Sequence, residues 1–553
     1  GLCPITTTQL TELVAGVRTV RELDAVARVL PGCWHLLASL DGVVRVQGSL
    51  TGVRRVFHTR IQDVPVAGDR ADVLAGLAGA GIDEQALAVR VACGPYAPAP
   101  VGERSFWRGV QALAPDHYLR IDPPGTVEEL RWWHPPEPQL PLTVGAGAVR
   151  QALEGAVAAR TPAQGRLSAD LSGGMDSTSL CFLAARAGMA DLLTFRWAES
   201  DVANDDAAFA AHAAAELPLA EHLVLPQDQM PRVFADPDGA SDIEAPYCFT
   251  RTLARSRHNA ELLATSGART HVAGHGGDEL FDTGSVAYLQ SLLRRQPLTA
   301  IAHLRGYRAL RAWPWVATVR CLVRRGDLGA WWHQQARELT TGWPSRRRPD
   351  FGWGWPVRAP ACLTPAAADA TRAALRCRAD SAHPLAADQG QHVALATLRA
   401  MGPLYRQLSR VFTAAGVRLE LPYLDDRVVE AALAVRIHDR STPWRYKPLL
   451  VEAMRGIVPE AIAARNTKAE FSEDVRLGLR RHLPEILEVF ADSALATHGL
   501  INPDLLRHEL LTPQANSMGV HALENLLGCE TWLRAALAST ASPGRNSVAA
   551  IAP

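Results

Sequence analysis

The sequence predicts an α/β domain built on a parallel sheet, preceded by a smaller β-rich α+β domain. Three observations carry this. From residue 149 onward, strand-like stretches alternate with helical ones, the pattern of βαβ units. Two glycine loops in that region each follow directly on a predicted strand. Between the two parts lies Pro135-Pro-Glu-Pro-Gln-Leu-Pro141, whose composition is that of a semi-rigid linker.

Taken in order, the first part opens with a helical pattern over residues 19–30 and short strands over 34–40, 43–50 and 53–59, separated by Gly and Asp turns. Strands over 110–113, 117–121 and 130–133 complete it. The expected domains are therefore residues 1–134, a linker over 135–148, and 149–553. In the last of these, residues 166–171 form a strand, and Leu180, Leu183, Ala184 and Ala187 recur at helical spacing before Gly188 closes the helix. Strands over 192–197 and 222–225 flank a helix over 205–216. A helix over 252–265 then leads into a strand over 270–273.

Between strand and helix stands Asp170-Leu-Ser-Gly-Gly-Met-Asp-Ser-Thr178. A helix N-terminus presents unpaired amides and the positive end of its dipole, and glycines let an anion approach the backbone, so this loop is built for pyrophosphate. It is not a G-x-x-x-x-G-K-[ST] loop, and no lysine lies near. The second loop, Gly274-His-Gly-Gly-Asp-Glu-Leu-Phe281, ends a strand of the same sheet, so the two can face each other across a nucleotide.

Composition narrows the function. Lys+Arg and Asp+Glu balance at 57 each in 553 residues, which argues against nucleic acid as the main partner. No run of about 18 apolar residues offers a membrane span. Nine cysteines, scattered without a C-x-x-C pair, fit a reducing cytoplasm. Of the 57 basic residues only Lys447 and Lys468 are lysines, which marks both as places where a compact ammonium is needed.

Ser172-Gly-Gly-Met-Asp-Ser177 resembles the S-G-G-x-D-S loop of the ATP pyrophosphatases. With the Gly274 loop, Leu421-Pro-Tyr-Leu-Asp-Asp-Arg-Val-Val-Glu430 and Arg465-Asn-Thr-Lys468 in the same order, the chain resembles the asparagine synthetase superfamily, in which an N-terminal glutaminase-type sandwich precedes an adenylating domain. The resemblance implies ATP and Mg²⁺ as cofactors. Ser172, Gly173, Gly174, Asp176 and Ser177, with Gly274, Gly276 and Gly277, would bind the nucleotide; Asp176 and Asp278 would hold the metal. Lys468, and Lys447 in the same role, would stabilise charge on the α-phosphate and acyl oxygen. Glu279 is expected to cap a helix.

Departures from the family pattern point to a subgroup. The sequence as given opens on Gly1, with Cys3 two residues in, so a glutaminase function is not expected. His275 stands where asparagine synthetases carry Glu and β-lactam synthetases Tyr, and is a candidate to serve the attacking amine. A helical insertion over about 285–390, with Arg clusters and Phe351-Gly-Trp-Gly-Trp355, is expected to contact a peptide. Together with Lys447-Pro-Leu-Leu450 and Leu495-Ala-Thr-His-Gly-Leu-Ile501, these features resemble the lasso-peptide macrolactam synthetases of actinobacterial type. That implies adenylation of an Asp or Glu side chain of a precursor peptide, closure of an isopeptide ring by its N-terminal amine, and a leader-binding recognition protein and leader peptidase as partners. A β-lactam-type synthetase, an ammonia-dependent asparagine synthetase and a non-catalytic scaffold stay open.

Overall fold

In the computed structural model, residues 3–541 are described except for 162–164, 189–190, 199–203, 240–241, 283, 325, 346, 466–471 and 513–517. The N-terminal part carries seven strands: β1 (Leu36–Leu40), β2 (Val43–Gln47), β3 (Phe57–Ile61), β4 (Val64–Gly68), β5 (Gln111–Ala112), β6 (His117–Ile121) and β7 (Val127–Arg131). They form two antiparallel sheets, ordered β1-β2-β6-β7 and β4-β3-β5. A small core of Val56, Leu113 and Leu119, with Val46, Ala67 and Val127 against it, joins the sheets face to face. Three helices absent from the sequence reading, Thr7–Val14, Ala71–Ala78 and Glu84–Cys93, make this part more helical than expected.

The second part is built on β8 (Arg166–Asp170), β9 (Leu192–Trp197), β10 (Glu221–Leu225), β11 (Ala268–Val272) and β12 (Arg418–Glu420). Their order is β10-β9-β8-β11-β12, and every pair is parallel. Leu167, Ser168 and Ala169 of β8 are wholly buried, as a central parallel strand covered on both faces requires. The chain winds outward from β8 in one direction and then returns to β11 on its other side. The crevice between the C-terminal ends of β8 and β11 is thus the topological switch point, where ligands of such sheets bind.

The Pro-rich stretch does not extend through residue 148, because the helix Leu142–Ala158 starts directly after Pro141. Nor does it separate two independent bodies. Arg160, whose side chain has no exposure, pairs with Glu420 and Asp425 at 3.2 Å each, while Asp425 also accepts the amide of Gly32 at 2.9 Å. Asp426 accepts the amide of Leu50 at 3.0 Å. The helix Gln389–Ala414 runs along the seam: a Cβ on Gly402 would fall 1.6 Å from the carbonyl oxygen of Thr51, and Arg399 reaches Glu103 at 2.6 Å.

The stretch over about 285–390 carries the helices Tyr288–Arg295, Pro297–Arg311, Trp315–Val323, Leu328–Glu338 and Pro365–Ala379. Its last two helices pack through Leu328, Trp332 and Leu375 onto Val89 of the N-terminal part, so half of it serves as a brace between domains. No helix among the described residues is long and apolar enough to cross a membrane.

Candidate active site

The two glycine loops meet at the switch point. Ser172 to Gly174 leave β8, and the helix Met175–Arg186 follows with Gly174 at its N-cap and no described side chain capping it, so its first amides face the loop. Gly173 has φ +82°, and a Cβ there would fall 2.6 Å from the carbonyl oxygen of Asp206; no larger residue fits. The Ser172 and Ser177 hydroxyls hydrogen-bond each other at 2.8 Å across the loop, and the Gly174 amide donates to Ser172 Oγ at 3.3 Å.

From the other side, the Gly274 loop leaves β11 and presses on Asp176. A Cβ on Gly277 would fall 2.5 Å from Asp176 Cγ, and one on Gly274 3.1 Å from Asp176 Cβ. The glycines of the second loop are thus demanded by the carboxylate of the first. Gly276, at φ +94°, packs on Leu424, and Tyr423 donates its hydroxyl to the Asp176 carbonyl at 2.9 Å. The Leu421 stretch therefore ties the N-terminal seam directly to the site.

Asp176 and Asp278 are bridged by Lys447. Its ammonium donates to Asp176 Oδ2 and stands 2.7 Å from Asp278 Oδ1, with no side-chain exposure. Tyr446 donates to Asp278 at 3.1 Å, and its ring lies 5.0 Å from the ammonium. Burial alone would depress Lys447, but the two carboxylates outweigh it and raise its pKa. Asp176 is itself raised, by burial and by the Asp278 carboxylate, against the opposing pull of Lys447. Lys447, expected to act on the α-phosphate, is here the cation holding the expected metal carboxylates together; Lys468 lies outside the described residues.

His275 is solvent-accessible and stacks on Tyr405, centroids 4.9 Å apart at 25°. Phe249 stacks on Tyr405 as well, at 6.0 Å and 14°. Although the imidazole is open at an edge, it sits in a bowl of protein whose desolvation, opposed by Asp170 and Glu279, lowers its pKa. Glu279 does not cap its helix; its Oε1 accepts the Tyr405 hydroxyl at 2.8 Å. The reason is reach, since Tyr405 projects from the helix Gln389–Ala414 toward the same wall. Tyr405, Tyr423 and Tyr446 were not singled out by sequence reasoning, and only the nearness of Tyr423 and Tyr446 to the Leu421 and Lys447 motifs could have signalled two of them.

Arg465 anchors the first loop from outside. It donates to the Gly173 carbonyl at 3.1 Å, pairs with Asp206 at 2.6 Å and lies over Phe209. Arg465→Ala is expected to raise KM for ATP about tenfold, the scale of a lost charge-assisted hydrogen bond, with little change in kcat. Pyrophosphate release against ATP concentration checks it.

Two carboxylates in this setting suit Mg²⁺. Among the described residues no group of three or more His, Cys, Asp or Glu could hold a metal by itself, and Asp176 Oδ1 is buried without a hydrogen-bond partner. Mg²⁺ binds in that way, through one or two carboxylates with substrate phosphates and water supplying the rest. The asparagine synthase family model matches residues 148–534, while no curated protein matches the chain. That match takes in both glycine loops, the bridging lysine and the whole parallel sheet, and the chain belongs to the asparagine synthase family, whose chemistry is ATP-dependent carbon–nitrogen ligation.

Proposed function

We propose that this ligase is a macrolactam synthetase of the lasso-peptide type, which activates an Asp or Glu side chain of a precursor peptide as its adenylate and joins it to the peptide's N-terminal amine. The observation that carries the ligase chemistry is the meeting of Asp176 and Asp278 beneath the Ser172 loop. When bound, Mg²⁺ would be held by these two carboxylates and would neutralise charge on the ATP phosphates. The amides at the start of the helix Met175–Arg186 and the Ser172 hydroxyl receive the pyrophosphate as the substrate carboxylate attacks the α-phosphorus. Lys447 holds the two carboxylates in place, and by family resemblance Lys468 offsets the charge gathering on the α-phosphate. The amine then attacks the acyl carbon, AMP departs, and the amine's proton leaves toward His275.

Three features support a peptide's own amine over ammonia from glutamine. The thiols of Cys3, Cys33 and Cys93 in the N-terminal part are all raised in pKa by burial, the latter two to about 12, the opposite of an activated nucleophile. His275 occupies the amine side of the site with an imidazole kept neutral. The helical insertion beside it gives a long substrate something to hold. A leader-binding recognition protein and a leader peptidase are the partners this function calls for, and the face-to-face N-terminal sheets are on this view a glutaminase-type sandwich put to structural use.

The test is incubation with ATP, Mg²⁺ and the precursor peptide encoded beside it. Loss of one water from the peptide mass, with AMP and pyrophosphate formed, is the expected result; turnover of free aspartate with ammonia, or no AMP with any peptide, defeats it. His275→Ala separates the two half-reactions: adenylate formation persists within about threefold while ring closure slows about 10²-fold, the usual scale of a general base. Because the His275 pKa is lowered, the neutral base persists below the ordinary value near ~6.5, so the acid limb of ring closure falls below that pH. An acid limb above it, or equal loss of both steps in the variant, contradicts the role.

A further inference from the structure

One cavity among the described residues lies away from the glycine loops. It lies inside the insertion, with a volume of about 230 Å³, walled by Trp331, Phe351 and Trp353 and by Arg324, Arg348 and Arg358. Small-molecule sites run to roughly 300–1,000 Å³, so this one suits one or two side chains of an extended chain better than a free metabolite.

Its electrostatics are one-sided. Between Asp282 and Asp327 the sequence has eight arginines and no acidic residue, although the chain as a whole is neutral. The helices of that stretch form one wall, through Gln290, Cys321 and Arg324. Of the two acids at the cavity, Glu338 is paired with Arg358 and Asp350 accepts the Gly352 amide at 2.7 Å. Arg358 is nine-tenths buried, yet its Nε has no partner among the described residues. Arg324 and Arg348 are exposed, and neither forms a salt bridge among the described residues, although the Arg348 charge acts on Asp350. Excess guanidinium beside indole and phenyl rings is a surface for carboxylates interleaved with apolar or aromatic side chains.

The cavity is tied to the active site by one rod. Gln389 lines it and starts the helix Gln389–Ala414, which carries Tyr405 sixteen residues on. At 1.5 Å per residue the separation is about 24 Å, which an extended peptide covers in roughly seven residues. Trp353 packs edge-on to His392 of the same helix at 5.4 Å.

From this we infer that the insertion cavity is a second subsite of the enzyme, binding an acidic, aromatic-bearing segment of the peptide substrate at a distance from the acylated residue. The inference rests on the substrate being a peptide, and its test is independent of turnover. A fluorescein-labelled probe, Asp-Phe-Glu-Trp-Asp-Phe, is titrated with the full chain without ATP and read by anisotropy. The expected result is saturable binding that weakens at least tenfold in Arg324→Glu/Arg348→Glu, both exposed positions, with an unchanged melting temperature and unchanged ATP affinity. Equal binding of the counterpart Lys-Phe-Lys-Trp-Lys-Phe, equal affinity in the double variant, or tighter binding of oligouridylate would overturn it. Failure of ring closure with every peptide would overturn the lasso assignment while leaving this binding result standing on its own.

Discussion

Asp176→Asn is expected to lower pyrophosphate release at least about 10³-fold, and Asp278→Asn to do the same, because each removes one of the two carboxylates that would hold the metal. The amide keeps the shape of the carboxylate, and shape matters here: the Gly277 backbone lies so close that even a Cβ would fall 2.5 Å from Asp176 Cγ. With one carboxylate changed, the other still faces Lys447, so the fold should persist. The double variant should be no slower than either single one, since residues acting as a unit lose their effect together. It should melt earlier, because a buried ammonium is left without carboxylates. Pyrophosphate release at saturating ATP, with thermal melts of all three proteins, decides the matter. Near wild-type release in either single variant removes the metal-holding role.

What was legible in the sequence was whatever is local. The Ser172 loop announces itself because strand, glycines, hydroxyls and helix start are contiguous, and the Gly274 loop repeats the pattern. The hairpin at Asp41-Gly42 is legible for the same reason: both residues take positive φ, the type that Asp-Gly favours. Its counterpart at Gln62-Asp63 uses positive φ at both positions without glycine, and β4 beyond it went unread. The helix Glu84–Cys93 was missed because Ala86 to Val89, Val91 and Ala92 are all buried, leaving little apolar periodicity to detect. β12 is three residues long, too short to signal alone, and exists because β11 offers it an edge.

The site divides in the same way. The carboxylates and glycines that meet at the switch point stand in contiguous motifs, whereas the stack of His275, Tyr405 and Phe249 joins three elements far apart in sequence, and nothing around Tyr405 distinguishes it from a core tyrosine. The lysine bias pointed to Lys447 as a place for an ammonium, but not to what that ammonium touches. Glu279 was placed by its position at a helix start; its actual partner comes from a helix more than a hundred residues later.

Lys447→Arg is expected to cut kcat about 10²-fold or more despite keeping the charge. The side chain has no exposure, and its backbone is held left-handed at φ +44°, so the path of the stem is fixed before the charge is reached. A guanidinium is planar and larger, and here it would meet two carboxylates that approach a single nitrogen from different loops, beneath the Tyr446 ring. It can satisfy one carboxylate in a fork or splay the two apart, and either outcome moves the Ser172 loop against the Gly274 loop. Lys447→Met separates charge from space, since it keeps the stem but leaves Asp176 and Asp278 facing each other without a cation. Loss of one partner from a buried ion pair costs about 3–5 kcal/mol, so this variant should melt well below the wild type. Added Mg²⁺ should then raise its melting temperature more than that of the wild type, because the two carboxylates are free to share the metal. An arginine variant with wild-type kcat would show that the ammonium only packs; a methionine variant that melts normally and ignores Mg²⁺ would show that the bridge carries no load.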